Sequence, residues 1–210
     1  MFEELFPDKI VNEFHEHYYY NSGQISWMGI HVLKSPMDLW IYQEILFEIK
    51  PDLLIECGTL DGGSALFYAA LFDITGKGEI VTIDIDDSPS RPEHKRITYL
   101  HGSSISNEIF EKVKAISIEK PTVMVILDSD HHKEHVLKEL ALYKELVTPG
   151  SYLIIEDTNM NNHPVNPDLG PGPMEAVKEF LEANKNFEID KSREKLLLTY
   201  NKNGYLKKIS

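Results

Sequence analysis

Short apolar runs alternate with longer amphipathic segments along most of the chain. Residues 80–83, 122–127 and 152–155 are largely β-branched and aliphatic, which is typical of parallel strands buried on both faces. Residues 133–147, between two such runs, carry apolar side chains at helical spacing. Strands that alternate with helices in this way predict a mostly parallel, doubly wound α/β sheet of the Rossmann-like type.

Capping and turn residues between these runs predict where several helices and strands begin and end. Ser35 followed by Pro36 is a favourable helix start, and Pro51 ends that helix just before the first core strand. Near the end of the chain, 187–189, 195–200 and 205–209 are predicted to be strands around an Asn203-Gly204 turn. We expect them to add an antiparallel C-terminal hairpin strand to the parallel sheet.

Residues 1–33 differ from the rest because they are rich in aromatic side chains. These are Phe2, Phe6, Phe14, Tyr18, Tyr19, Tyr20 and Trp27. We expect residues 1–33 to form a helical cap and residues 34–210 to form the main domain. The aromatic residues either pack on the core or another subunit, which we favour, or offer a stacking surface to a ring-bearing substrate.

Length, composition and charge limit the classes of function. With 210 residues, 42% of them hydrophobic, the chain can form one α/β domain with a full core. Its net charge of −13 argues against a nucleic acid as partner. The lone Cys57 excludes an internal disulfide framework, and no apolar run approaches the ~20 residues of a membrane span. We expect a cytoplasmic protein without a membrane span, acting on a small molecule and forming a homo-oligomer.

The stretch 53–64, LLIECGTLDGGS, predicts a buried strand, a tight glycine turn and a helix start. Its spacing is neither G-x-G-x-x-G nor a Walker loop. Glu56 at the strand end places negative charge where a dinucleotide would need bare amides for its pyrophosphate. The turn with Gly58, Gly62 and Ser64 therefore suits a ligand that carries an ammonium and a sulfonium, as S-adenosylmethionine does.

Asp84 strengthens the prediction of an adenosine site. It ends the second apolar strand, 22 residues after Gly62, where an acid can accept hydrogen bonds from both ribose hydroxyls. The third strand, 97–101, leads into a polar turn whose Ser103 and Ser104 either contact the adenine edge or cap the next helix.

Two further strands each end in a pair of acids, and these acids predict a metal site. Asp128 and Asp130 follow one strand, and Glu156 and Asp157 follow the next. Carboxylates that converge repel one another unless protons or a cation neutralise them, and oxygen ligands suit Mg²⁺. Such a metal would lower the pKa of a bound hydroxyl and orient it. The Asn-, Pro- and Gly-rich loop 158–172 follows directly and is expected to be a substrate lid.

The chain resembles the cephalosporin hydroxylase/rhamnosyl O-methyltransferase group of S-adenosylmethionine-dependent enzymes. The resemblance covers nearly everything after residue 25. The motifs that carry it are Trp27-x-Gly29, Lys34-Ser35-Pro36-x-Asp38-Leu39-Trp40, Ile55-Glu56-x-Gly58-Thr59-x-x-Gly62-Gly63-Ser64, Asp128-Ser129-Asp130-His131, Ile155-Glu156-Asp157, Gly170-Pro171-Gly172-Pro173-x-Glu175-Ala176-Val177 and Asn203-Gly204-Tyr205-Leu206.

The resemblance implies a Rossmann-like methyltransferase domain with S-adenosylmethionine and a divalent cation, usually Mg²⁺, as cofactors. It implies Glu156 and Asp157 as metal ligands. The third ligand is Asp130 on the family's spacing or Asp128 on the layout of catechol O-methyltransferase. The candidate bases are Asp130, His131 and His132. The cofactor-binding candidates are Glu56, Gly58, Thr59, Gly62, Ser64, Asp84, Ser103 and Asp128.

The sequence therefore predicts an O-methyltransferase that acts on a hydroxyl of a sugar or a polyhydroxylated natural product. Two alternatives stay open. A nicotinamide-dependent oxidoreductase would share the glycine turn and Asp84 but would not use two carboxylate pairs. A non-catalytic nucleotide-binding module would release no S-adenosylhomocysteine.

Overall fold

Seven strands form one sheet in the computed structural model, which describes residues 8–210. The helices are α1 (Asp8–Asn21), α2 (Pro36–Ile49), α3 (Gly63–Thr75), α4 (Asn107–Ser117), α5 (Lys133–Tyr143) and α6 (Pro173–Ala183), with a short 3-10 turn at Lys191–Glu194. The strands are β1 (Ile25–Trp27), β2 (Ile30–Val32), β3 (Leu53–Cys57), β4 (Glu79–Asp84), β5 (Ile97–His101), β6 (Val123–Leu127), β7 (Tyr152–Ile155), β8 (Phe187–Ile189) and β9 (Tyr205–Lys208).

The sheet has the order β5-β4-β3-β6-β7-β9-β8, and β9 is antiparallel to both of its neighbours. This confirms the predicted doubly wound sheet with an antiparallel C-terminal strand. The prediction of a strand at 195–200 was wrong, because these residues have no strand pairing and follow the 3-10 turn. They instead lead the chain back over the sheet, so that β9 inserts between β7 and β8.

Helices cover the sheet on both faces, which explains why its central strands β3 and β6 are apolar at every position except Glu56. Leu53, Ile55 and Cys57 of β3 pack on the face covered by α4, α5 and α6. Leu54 of the same strand packs on the other face, among residues of α2 and α3. β3 and β6 are buried along their whole length. The carboxyl edge of the parallel strands is left for loops, and it is there that ligands bind in such folds.

The N-terminal region contains a β-hairpin as well as a helix. β1 and β2 pair antiparallel and pack on α3, where the rings of Trp27 and Phe67 meet edge to face at 5.0 Å. A Cβ at Gly63 would lie 2.1 Å from the carbonyl oxygen of His31, so this glycine admits the hairpin backbone. The sequence predicted a helical cap over 1–33 and no hairpin. Phe2 and Phe6 of that prediction lie outside the described residues.

Gly58 is required by a close contact between two strand ends. Its φ is +98°, and a Cβ there would lie 1.9 Å from the carbonyl oxygen of Asp128. The turn after β3 can therefore press against the turn after β6 only if residue 58 is glycine. This contact brings the glycine turn next to the acids that follow β6.

We predict that Gly58→Ala destabilises the protein much more than Gly76→Ala. Gly76 also has a positive φ, +75°, but a Cβ there meets nothing within 4 Å. The substitution at 76 should cost about 1 kcal/mol from left-handed backbone strain. The substitution at 58 should cost at least about 3 kcal/mol, because overpacking is added to the same strain. Urea unfolding of both variants measures the difference, and equal losses would contradict the proposed contact.

Candidate active site

A cavity of about 470 Å³ opens at the carboxyl edge of the sheet. Its wall is built by the connection from β2 to α2 and by the loops that follow five neighbouring parallel strands. The lining residues are His31–Lys34, Gly58–Leu60, Gly63, Ser64, Ile83–Asp86, Gly102–Ile105, Asp128–His131, His135 and Asp157. The volume lies within the range of pockets that enclose small organic ligands.

Asp84 fastens the glycine turn from the neighbouring strand. One carboxylate oxygen, Oδ2, accepts hydrogen bonds from the backbone N–H groups of Thr59 and Leu60, at 2.9 and 2.8 Å. Oδ1 accepts one from the N–H of Asp86 at 3.0 Å. A carboxylate oxygen has two lone pairs, so Oδ2 is fully engaged and Oδ1 keeps capacity for one further donor. The predicted ribose acceptor therefore lies in the cavity wall and also shapes the turn.

Ser103 and Ser104 both line the cavity, but their side chains differ in their hydrogen-bond partners. Ser104 is buried, and its hydroxyl donates to Glu139 at 2.6 Å. Its carbonyl oxygen accepts from the hydroxyl of Tyr143 at 2.9 Å. Two residues of α5, Glu139 and Tyr143, thus hold this turn in place. Of the two serines, Ser103 is the one whose side chain has no such internal partner among the described residues.

Glu56 does not reach the cavity. Its side chain is fully buried, and its carboxylate accepts a hydrogen bond from Thr82 at 2.7 Å. Burial raises the pKa of Glu56, against the lowering effects of Lys34 and of a hydrogen bond from Ser64. The structure therefore places this predicted cofactor residue beneath the turn. Ser64 lies between Glu56 and the cavity, whereas Gly62 is absent from the lining.

The acids after β6 and β7 converge with one histidine. A carboxylate oxygen of Asp128, a ring nitrogen of His131 and a carboxylate oxygen of Asp157 all lie within 4.8 Å of one another. His131 Nε2 is 3.1 Å from Asp157 Oδ2. Burial raises the pKa of Asp128 to about 6, although the Lys34 ammonium opposes this. Burial also raises the pKa of Asp157, opposed mainly by His131.

Glu156 lies behind this group and is engaged by two donors. Its Oε1 accepts from Lys34 Nζ at 2.6 Å and from the hydroxyl of Tyr42 at 2.8 Å. Burial, followed by the charge of Asp128, raises the pKa of Glu156 to about 7. Lys34 also donates to Asp128 Oδ2 at 2.5 Å, so a single ammonium joins the ends of β6 and β7.

Asp130 and His132 turn away from this group. Asp130 Oδ1 is 2.6 Å from His132 Nδ1 and also accepts from the backbone N–H of His132 at 2.9 Å. About half of the Asp130 side chain and two thirds of the His132 side chain are exposed. The structure thus brings together Asp128, His131, Glu156 and Asp157 of the predicted residues and leaves Asp130 at the rim of the cavity.

Asp157 has an uncommon backbone conformation. Its φ is +54°, in the left-handed region that non-glycine residues seldom adopt. The side chain of buried Asn201 holds this conformation by accepting from the N–H of Asp157 at 3.1 Å. Asn201 also donates to the hydroxyl of Tyr42 at 2.8 Å, which continues the network to Glu156. Strain that is supported in this way is typical of functional sites.

Helix α1 lies against the loop 158–172. The hydroxyls of Tyr19 and Tyr20 both bond to Asn166 of the loop, at 3.1 and 2.8 Å. His15 is stacked on Tyr200, with ring centroids 5.4 Å apart. The predicted lid, which directly follows Asp157, is therefore held against the N-terminal helix α1.

Comparison with known proteins agrees with this architecture. The family model described as rhamnosyl O-methyltransferase/CmcI matches residues 17–209. The rhamnosyl O-methyltransferase of Mycobacterium leprae (strain TN) is 40% identical over 207 residues, covering 95% of this chain and 90% of that protein. The chain belongs to the rhamnosyl O-methyltransferase/CmcI family. A second member, from Mycobacterium tuberculosis (strain CDC 1551 / Oshkosh), is 38% identical over 208 residues, covering 95% and 85%.

Solved structures show that proteins with much lower sequence identity to this chain share its fold. A CmcI structure with Mg and SAM aligns with a TM-score of 0.68 at 21% identity, covering 92% of this chain and 84% of that one. A putative caffeoyl-CoA O-methyltransferase from Staphylococcus aureus aligns with a TM-score of 0.58 at 13% identity, covering 89% and 88%. At these identities the likeness concerns the fold, which is the Rossmann-like fold predicted from the sequence.

Three residues that support the family's site were not predicted from the sequence. Lys34 is part of a motif that carries the family resemblance but had no predicted role, and its side chain is only 2% exposed. Tyr42 and Asn201 are fully buried and carry the hydrogen bonds behind Glu156 and Asp157. The sequence offered a signal only for Lys34, because it directly precedes the helix start at Ser35-Pro36.

We predict that Asp128→Asn weakens the binding of Mn²⁺, used as a probe for the divalent site, by more than about tenfold. Asp130→Asn is the matched control and should change it less than about twofold, since that side chain faces His132. Titration followed by the electron paramagnetic resonance of free Mn²⁺ measures both. The reverse ranking would assign the third ligand to Asp130.

We also predict a pH-dependent attachment of α1. Burial, and then the charge of Lys202, lower the pKa of His15 from 6.5 to about 4. The neutral ring therefore stabilises the fold fully above pH 6.5, and this contribution is lost as the pH falls towards 4. The slope should reach at most about 1.4 kcal/mol per pH unit. In unfolding titrations the free-energy difference between the wild type and His15→Gln should shrink as the pH falls from 6.5 towards 4, whereas the difference for His17→Gln, on the exposed side of α1, should stay constant. A difference for His15→Gln that does not change with pH would contradict this assignment.

Proposed function

We propose that the protein transfers the methyl group of S-adenosylmethionine to a sugar hydroxyl held beside Asp128, His131 and Asp157. The observation that carries this proposal is the meeting of two sites at one edge of the sheet. A nucleoside-sized cavity beside the glycine turn shares Asp128 with the acid group that ends β6 and β7. Membership of the rhamnosyl O-methyltransferase/CmcI family supports the same reaction class.

The charge of the cavity favours a cationic cofactor over a dinucleotide. Asp84, Asp86, Asp128, Asp130 and Asp157 line it, whereas Lys34 is the one lysine or arginine in its wall among residues 8–210. That ammonium is already bonded to two carboxylates. A pyrophosphate would be repelled by this wall, whereas the sulfonium and ammonium of S-adenosylmethionine would be attracted.

Exposed apolar side chains in the cavity fit the rest of the cofactor. Leu33, Leu60 and Ile85 are 73%, 47% and 68% exposed, although each is large and apolar. All three lie in the cavity wall. A bound nucleoside and its methionine chain would cover them and remove apolar surface from water. Ile85 directly follows Asp84, so the two can serve the base and the ribose of one ligand.

The donor set also fits a divalent cation. Asp128, Glu156 and Asp157 offer the hard oxygen atoms that Mg²⁺ prefers, and burial raises the pKa of each carboxyl. A bound divalent cation would lower the pKa of an acceptor hydroxyl and orient it towards the methyl donor. Glu156 has one oxygen engaged by Lys34 and Tyr42, which leaves Oε2 for such a role.

His131 is the base that the geometry supports best. It lines the cavity and Asp157 orients its ring, whereas the ring of His132 is directed to Asp130 at the surface. In the proposed reaction the acceptor oxygen forms a bond to the methyl carbon, and the carbon–sulfur bond breaks with its electron pair passing to sulfur. The hydroxyl proton moves to His131, and S-adenosylhomocysteine and a methyl ether result.

The acceptor would enter from the side of α1 and the loop 158–172. We propose the loop as the substrate lid, supported by its position directly after Asp157 and by the bonds from Tyr19 and Tyr20 to Asn166. Phenol rings and amide side chains are suited to hydroxyl-rich ligands, because they offer apolar faces beside donors and acceptors. The curated relatives are named for a rhamnosyl acceptor, which makes a deoxyhexose the acceptor class to test.

No helix among the described residues 8–210 is long and apolar enough to cross a membrane. We further propose a cytoplasmic homo-oligomer. Support comes from the buried free thiol of Cys57 and from Trp40 and Phe47 of α2, which are 61% and 64% exposed seven residues apart on one helix.

The test is methyl transfer from labelled S-adenosylmethionine to methyl rhamnoside and to other glycosides in the presence of Mg²⁺. We expect labelled methyl ether and S-adenosylhomocysteine in equal amounts. Calorimetry should show binding of S-adenosylmethionine and none of NAD(H). Binding of NAD(H) alone would favour the oxidoreductase, and binding of S-adenosylmethionine without turnover on any hydroxylated acceptor would favour the non-catalytic module.

We predict that Asp157→Ala abolishes methyl transfer while the dissociation constant of S-adenosylmethionine changes less than about threefold. Asp157 lies at the acceptor end of the cavity, where it holds His131. Asp84→Ala is the opposite control and should weaken cofactor binding first, because Asp84 fastens the glycine turn. Equal loss of transfer and of cofactor binding in Asp157→Ala would count against a separate role at the acceptor.

A further inference from the structure

Lys34 is a buried cation between two acids of the candidate metal site. Its Nζ lies 2.5 Å from Asp128 Oδ2 and 2.6 Å from Glu156 Oε1, and its side chain is 2% exposed. It stands at the end of the connection from β2, directly before the N-cap Ser35 of α2. Its position is therefore fixed by the hairpin on one side and by the helix on the other.

The charges around Lys34 do not balance. The carboxylates of Asp128 and Glu156 pair with Lys34, and that of Asp157 pairs with His131, so that Lys34 is the one lysine or arginine partner of these three acids among residues 8–210. Because its Nζ is in ion-pair contact with two carboxylates, Lys34 places an ammonium beside the space into which a divalent cation would have to come.

We propose that Lys34 sets the strength of metal binding, by holding Asp128 and Glu156 in place and by opposing a second cation beside them. The proposal rests on the metal site of the proposed function. Lys34 engages Asp128 Oδ2 and Glu156 Oε1, which leaves Oδ1, Oε2 and Asp157 for a metal. A divalent ion there would lie within a few ångströms of the ammonium, at a distance where like charges repel strongly in a poorly solvated site.

Two consequences follow for the protein. Without a metal, the ammonium keeps the acids paired, and the fold does not depend on the ion. With a metal, repulsion keeps the affinity modest, so that the ion exchanges readily. Lys34 is therefore a positioning residue that acts through the metal ligands, and no contact with the acceptor is required of it.

The experiment compares Mn²⁺ binding to the wild type, Lys34→Met and Lys34→Gln by electron paramagnetic resonance, with melting temperatures measured with and without Mn²⁺. Lys133→Met is the matched control, because Lys133 pairs with Glu179 away from the cavity. We expect at least tenfold tighter Mn²⁺ binding in both Lys34 variants and less than a twofold change in Lys133→Met.

We also expect the Lys34 variants to melt at lower temperature without Mn²⁺ and to gain more from Mn²⁺ than the wild type gains. Variants that fold only with Mn²⁺ would support the proposal, because the metal then replaces the ammonium. Folded variants with unchanged or weaker Mn²⁺ binding would overturn it, and so would variants that fail to fold with or without Mn²⁺. Absence of Mn²⁺ binding in the wild type as well as in the variants would instead overturn the metal part of the proposed function, and this proposal with it.

Discussion

Repulsion between carboxylates at the ends of β6 and β7 is the constraint on which the site depends. Asp128, Glu156 and Asp157 are brought together by the parallel pairing of these strands, with Glu156 buried and the other two partly exposed to the cavity. Each has a pKa above its ordinary value because of burial. Only added positive charge makes such a cluster compatible with a stable fold. The Lys34 ammonium and the His131 ring supply part of that charge, and a sulfonium cofactor and a divalent cation would supply the rest.

The backbone makes this arrangement possible at two contacts. At Gly58 the turn after β3 meets the carbonyl of Asp128, and at Gly63 the start of α3 meets the carbonyl of His31. These two glycines are thus needed for contacts within the protein. The β1–β2 hairpin, seated on Gly63, is what carries Lys34 to the acids.

Local patterns in the sequence predicted the sheet and the acids at its edge, because apolar runs and the residues that follow them are local features. The same reasoning placed Asp84 and Asp128 at the cavity. It could not tell Asp128 from Asp130, since only side-chain direction separates two acids two residues apart. It placed Glu56 among the cofactor residues and gave Lys34 no role, because the burial of a side chain is a property of the assembled fold. Asn201 and Tyr42 are more than 150 residues apart in the chain and come into contact only in the assembled fold, so no local pattern could predict their hydrogen bond.

The measurement that tests this account most directly is a crystal structure of the protein with S-adenosylhomocysteine and Mn²⁺, with the ion located by its anomalous scattering. We predict one strong peak within bonding distance of oxygen atoms of Asp128 and Asp157, with the ribose of the nucleoside at Asp84. Lys34 should still lie against Asp128 and Glu156. A peak at Asp130 and His132, or an absence of any peak between β6 and β7, would contradict the account.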